Sequence, residues 1–207
     1  MKQLLALLAV SALLFTAPSH ATVVYTSAAD FLPRVAAGAY TETFSTTDSS
    51  IPPSRNFAGG AYSYTATAPN GVWLNAGFLG TFNFTNDLTI TFTGATVTAI
   101  GGNFFNTNNA DAFLSTLITI ALSDGTSTSL SPTSLAESYR GFTSEVGIAS
   151  ITLIAASDGS FASVDNLTIG SAIDEPPADV PEPASIALLM LGAAGLAGSR
   201  RQRARRA

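Results

Sequence analysis

The sequence predicts an all-β protein built as a single antiparallel β-sandwich, with a short apolar segment near each end of the chain. Three observations point there. Over residues 22–173, apolar and polar side chains alternate with period two in several short runs, the spacing that turns one face of a strand inward and the other outward. Clusters of Gly, Asn, Asp and Ser separate these runs. Charged residues are only 11 % of the 207, too few for coiled coils, long solvated helices or disordered charged tails.

Residues 1–21 open with Lys2, continue as an apolar run over 4–15 and close with Ser19-His20-Ala21, small residues at both flanking positions of a cut. That is the layout of a secretory signal peptide cleaved after Ala21. The run is short of the ~20 residues a spanning helix needs, which makes a retained anchor the weaker reading. The single His of the chain leaves with this segment.

Next, Asp30 is placed to cap a short helical turn through Phe31, Leu32, Pro33 and Val35, with Pro33 tolerated in the first turn. This turn is expected to plug one end of the sandwich. Tyr62 and Tyr64 alternate by two and so share one face of a strand. Asp87-Leu88-Thr89-Ile90-Thr91-Phe92 sets Leu88, Ile90 and Phe92 on one face. Val97, Ala99 and Phe104 carry the pattern past Gly101-Gly102, where a bulge or bend is expected. Residues 117–122 run into Ser123-Asp124-Gly125-Thr126, a hairpin turn in which Gly takes positive φ, and the chain returns over 127–130. Residues 148–155 and 164–169 complete a set of roughly eight to ten strands, a spacing that favours a jelly-roll-like sandwich over an immunoglobulin-like one.

Behind the sandwich lies an acidic, proline-rich linker, residues 174–183, ending in Val180-Pro181-Glu182-Pro183. The two prolines hold the chain extended and unable to start a helix, the form in which a protease takes a substrate. Residues 184–198 are apolar and small, and form a hydrophobic helix of about 22 Å at ~1.5 Å per residue. That is short of a ~30 Å hydrocarbon core. Residues 199–207 carry Arg200, Arg201, Arg203, Arg205 and Arg206, a cluster that does not cross a bilayer cheaply and so marks the cytoplasmic side. Everything ahead of Pro181 then faces away from the cytoplasm. A plain membrane anchor is the alternative reading of this tail.

The order and spacing of these residues resemble the PEP-CTERM sorting signal of Gram-negative bacteria over residues 180–207. The resemblance implies that an exosortase, a membrane-embedded cysteine protease-transpeptidase, recognises the tail and processes it at or near Pro181-Glu182-Pro183. It implies an exported protein, held transiently at the inner membrane and then placed at the cell surface, in the outer membrane or outside the cell. It further implies association with exopolysaccharide or biofilm matrix. Residues 96–105, the Ser123-Asp124-Gly125-Thr126 turn and residues 164–170 are similar to the jelly-roll ectodomains attached to such tails, although shape alone assigns no ligand.

Charge and composition then exclude several functions. With Lys2 and the five tail arginines set aside, Arg34, Arg55 and Arg140 stand against all 14 acids, a balance of −11. No basic face exists to displace phosphate counterions, so nucleic acid is not a partner. Without its two ends the chain has no His, Cys or Lys, which removes His-based triads, thiol nucleophiles, Schiff-base lysines and the usual zinc sites. No cofactor is expected. Carboxylate chemistry survives, yet nothing in the spacing of Glu42, Glu137 and Glu145 singles out the facing pair that a glycan hydrolase or lyase needs.

Two candidate sites remain. Glu42, on an early strand, is expected to meet Asp165 on the last one, because a jelly roll sets those strands side by side, and oxygen ligands there suit a structural calcium ion. The simpler reading leaves Asp165 capping its own turn, and takes Asn103, Asn106, Asn108, Asn109 and Asp111 as a solvated loop. For a lectin-like module, Tyr62, Tyr64 and Trp73 are the candidate platform on which the apolar face of a sugar stacks. Core packing of the same aromatics is the competing reading. The expected function is therefore a non-enzymatic surface or matrix protein, with polysaccharide binding as the alternative.

Overall fold

The computed structural model describes residues 22–156 and 159–173. In chain order the elements are β1 Val23–Tyr25, α1 Ala28–Phe31, a 3₁₀ turn Leu32–Arg34, β2 Tyr40–Glu42, β3 Ser54–Gly59, β4 Tyr62–Thr67, β5 Val72–Asn75, β6 Phe78–Thr81, β7 Leu88–Phe92 and β8 Ala99–Thr107. They continue as β9 Phe113–Leu114, β10 Ile118–Leu122, β11 Ser127–Leu130, a second 3₁₀ turn Leu135–Ser138, β12 Tyr139–Thr143, β13 Ser150–Ala155 and β14 Phe161–Gly170. None of the described helices is long and apolar enough to cross a membrane.

Two antiparallel sheets form the all-β sandwich that the alternation predicts. One has six strands in the order β11-β10-β13-β7-β4-β3. The other has eight, in the order β1-β12-β8-β14-β6-β5, with β2 also on β14 and β9 also on β8. Its two long central strands each share one edge between two short neighbours. Along β14, β6 pairs at Ser163 and Val164, while β2 pairs at Leu167 to Ile169. The early strand β2 thus lies beside the last strand, as the jelly-roll expectation requires.

The core sits between the sheets. Ile118, Ile120 and Leu122 of β10 and Ile151, Leu153 and Ala155 of β13 point into it from one side, and Ile100, Phe104, Val164, Leu167 and Ile169 from the other. Intervening residues on the six-stranded sheet are Thr and Ser, such as Thr119 beside Ser129 at 2.7 Å. Period-two alternation therefore fixes which face of that sheet is wet. The β10–β11 hairpin also forms as read. Gly125 takes φ +94°, and Asp124 Oδ1 accepts from the Thr126 amide at 2.8 Å.

Three expectations are corrected. Fourteen strands are present among the described residues rather than eight to ten. The added ones include β3 (Ser-Arg-Asn-Phe-Ala-Gly), whose composition carries little strand signal, and β12 (Tyr-Arg-Gly-Phe-Thr), whose strand-favouring Tyr, Phe and Thr are interrupted by Arg and Gly. Pairing with β4 holds β3 in place, and pairing with β1 and β8 holds β12. Gly101-Gly102 makes no bend, because β8 runs straight through it, and the bulge lies opposite, on β14 between Asp165 and Thr168 with Asn166 at φ +51°. Gly101 and Gly141 are direct partners across β8 and β12, and a Cβ on either would lie 2.4 to 2.5 Å from the Phe31 ring. These glycines clear a floor for that ring.

The helical turn is the third correction. Its cap is Ser27, whose Oγ accepts from the Asp30 amide at 3.2 Å and donates to Asp30 Oδ2 at 2.6 Å. Asp30 is the third residue of the turn, and its carboxylate takes the Ser27 hydroxyl while its own amide caps onto Ser27. The turn does not plug an end. Phe31 packs with Ala99 and Tyr139, residues that alternate with the core-facing Ile100 and Phe142, so α1 covers the outer face of the eight-stranded sheet.

Candidate ligand site

The aromatic platform read from the sequence does not assemble, because pleating and sheet membership separate its members. Tyr64 is 1 % exposed and stacks on Phe57 inside the core, with ring centroids 4.9 Å apart. Tyr62 shares that inward face, packs against the core and bonds Ser171 Oγ through its hydroxyl at 3.0 Å. Trp73 belongs to the other sheet, on β5, between the core residues Val72 and Leu74 and therefore facing outward.

Glu42 and Asp165 stand on paired strands but on opposite faces. Glu42 lies opposite Leu167, a core residue, and so points toward the core side. Asp165 lies opposite Asn103, which is two residues from the Phe31 floor at Gly101 and shares its outer face. Each carboxylate is satisfied locally. Glu42 accepts from the Tyr40 hydroxyl and from the Phe44 amide at 3.0 Å. Asp165 accepts from the Asn166 amide at 2.6 Å and the Asn166 side chain at 2.8 Å. Burial raises the Asp165 carboxyl against the pull of the Asn166 amide. No group of three or more acids that could hold a metal ion occurs among the described residues.

Of the Asn-rich stretch, Asn103 and Asn106 sit on β8 and serve the fold. Asn103 donates to Leu135 O and Ser138 Oγ, and Asn106 to Thr116 Oγ1 and Leu117 O. Asn108, Asn109 and Asp111 make the β8–β9 turn. There Asn108 Oδ1 accepts from the amides of Ala110 at 2.9 Å and Ala112 at 3.1 Å, and Asp111 takes φ +59°. Asn75 of β5 donates to Asp111 Oδ2 at 3.0 Å and ties the turn to the sheet edge.

A pocket of ≈ 140 Å³ lies where this turn meets β5, β6 and the start of β14. Its lining is Trp73, Thr81, Phe82, Thr107, Asn108, Asn109, Asp111 and Phe161. Phe82 is 43 % exposed at its rim. Phe84, 52 % exposed, meets Phe161 edge-on at 6.3 Å. Below the pocket, Thr107 Oγ1 and Ser163 Oγ lie 3.2 Å apart. Trp73 Nε1 and Thr81 Oγ1 are buried without a hydrogen-bond partner. Asp111 is the sole charged residue of the lining.

Sequence reasoning found Trp73 and the Asn-Asp turn separately and missed Phe82, Phe84 and Phe161. The available signal was Phe82-Asn83-Phe84-Thr85, two aromatics spaced by two outside any strong apolar alternation. Ala21, the Val180-Pro181-Glu182-Pro183 motif and the five tail arginines lie outside the described residues.

Among known families, the chain matches the PEP-CTERM protein-sorting motif over residues 179–201. Neither the curated proteins nor the solved structures gave a match. The tail is thus identified on its own, and the sandwich ahead of it is understood from its geometry.

Proposed function

We propose that this chain is an exported, non-enzymatic surface or matrix protein, processed by an exosortase at Pro181-Glu182-Pro183 and associated with exopolysaccharide. The observation that carries the reading is the sorting motif at residues 179–201, which marks the chain as exported and held transiently at a membrane. A sandwich without any Cys, carried by the same chain, suits this route, since it needs no oxidative step to mature.

The state of the acids supports a role without catalysis. Glu137 is held below the usual carboxylate range by the Thr133 hydroxyl and amide. Burial pushes Asp124 up, but hydrogen bonds from Thr22 and Thr126 outweigh it and leave the group lowered. Asp48 is held down to about 2 chiefly by the Arg55 side chain. These are carboxylates occupied in holding loops. Asp165, which burial raises, is held by the Asn166 amide and side chain, and Glu42 on the neighbouring strand points to the opposite face. The two therefore do not form the facing pair that glycan hydrolysis uses.

The test is intact mass and cell fractionation of the protein from its native host, beside a variant with Pro181→Ala and Pro183→Ala. The expected result is a mature species that begins at Thr22 and ends near Pro181, and that is lost in the variant. A full-length C-terminus retained in the membrane fraction would establish a simple anchor in its place.

A further inference from the structure

We infer that the pocket between β5, β6 and the β8–β9 turn is a binding site for a neutral pyranose unit of a glycan. The argument begins with its walls. Trp73, Phe82 and Phe161 supply aromatic surface, and Asn109 and Asp111 supply an amide and a carboxylate on one side of it. A pyranose has the matching duality, with C–H faces that stack on rings and a rim of hydroxyls that both donate and accept. The volume, ≈ 140 Å³, holds one small ring, and the exposed Phe82 and Phe84 extend the surface for a neighbouring unit of a chain.

The polar inventory decides between ligand classes. The Trp73 indole N–H is buried out of reach of a guest in the pocket, so Trp73 contributes ring surface and the polar contacts fall to Asn109 and Asp111. Thr81 lies opposite Val72 and two residues from Leu79, both core residues, so its hydroxyl belongs to the core side and takes no part in recognition. A hydroxylated guest brings donors for the Asp111 carboxylate and oxygen acceptors for the Asn109 amide, whereas an ammonium ion brings donors alone. Anions are disfavoured as well, since the lining offers no cation and carries the Asp111 carboxylate. A purely apolar guest would displace water from the Asn109 amide and the Asp111 carboxylate without replacing its hydrogen bonds.

The site is prebuilt. Asn108 locks the turn through two backbone amides, Asn75 fixes Asp111, and Phe84 braces Phe161, so little ordering is left for the moment of binding. The site gives the proposed exopolysaccharide association a place on the sandwich. It does not depend on how the tail is processed.

Trp73 is the chain's single tryptophan and lines the pocket, so its fluorescence reports on the site directly. The experiment titrates the full-length protein, in mild detergent, with cello-, manno-, xylo- and galacto-oligosaccharides, and separately with tetramethylammonium chloride and inorganic phosphate. The expected result is a saturable change with at least one oligosaccharide at roughly millimolar concentration or below. Phe82→Ala and Asp111→Asn, both at exposed positions, should each weaken it by about tenfold with unchanged thermal unfolding. No response to any oligosaccharide, an unaltered response in both variants, or a response to tetramethylammonium alone would overturn the assignment. Because fractionation does not enter this readout, failure here leaves the sorting reading intact, and failure there leaves the pocket intact.

Discussion

Phe31 shows how one side chain dictates its neighbours. Its ring lies flat enough on the eight-stranded sheet that positions 101 and 141 are left only room for hydrogen, and Tyr25 and Tyr139 close around it with centroids at 6.0 and 6.2 Å. Gly141→Ala should therefore cost about 1 to 3 kcal/mol by overpacking. In the double variant with Phe31→Ala, the penalty of the alanine should largely vanish, which urea unfolding of all four species measures. Additive losses would show that the clash is not the cause. A second residue effect concerns pH. Arg55 NH1 meets Asp48 Oδ2 at 2.6 Å, and the carboxyl is lowered from 3.8 to about 2. A depressed acid contributes stability that is complete above its unfolded value and is lost as pH falls through its folded one. The stability difference between wild type and Asp48→Asn should then be constant above about pH 4 and shrink toward pH 2, by urea midpoints across that range. A difference that persists unchanged at pH 2 would assign the effect to the Ser50 turn rather than to charge.

At the level of elements, the bulge on β14 is what sets Asp165 and Leu167 on opposite faces. Three steps of β14, from Asp165 to Thr168, span two of β8, from Asn103 to Gly101, and the extra residue is Asn166 in the left-handed region. Asn visits that region at low cost, a β-branched residue does not. Asn166→Gly should be nearly neutral, and Asn166→Val should destabilise by about 1 to 2 kcal/mol, as read by thermal unfolding. Equal behaviour of the two would mean the bulge relaxes. The same bulge explains why β2 and β14 are neighbours while the acids on them do not converge. The element-scale logic of the pocket differs: a hairpin turn, an edge strand and the first residue of the longest strand meet at one corner, each contributing residues the others lack.

For the whole sandwich, stability rests on one continuous core that both sheets line, with no disulfide to hold any part of it separately. Unfolding should follow a single transition, with Trp73 fluorescence, reporting on the eight-stranded sheet, coinciding with far-ultraviolet circular dichroism, and with no change on adding reductant. Separate midpoints would show that the sheets come apart independently. Folding is expected in the slow range of all-β domains, ms to s, since Glu42 must find Leu167 and Ala99 must find Thr143 before the central strands are covered.

The sequence by itself determined the fold class, the β10–β11 hairpin, the inward face of β7 and the sorting tail that the family match covers. Each of these depends on local order along the chain: alternation, turn chemistry, or a run of residue types, and local order is visible in one dimension. What only the tertiary structure decided is which residues share a place. Tyr64 and Trp73 are nine positions apart yet lie in different sheets, Glu42 and Asp165 sit on adjacent strands yet face opposite ways, and Gly101 is shaped by a phenylalanine seventy positions upstream. Pairing register and the bulge set those relations, and both are settled by how the core closes.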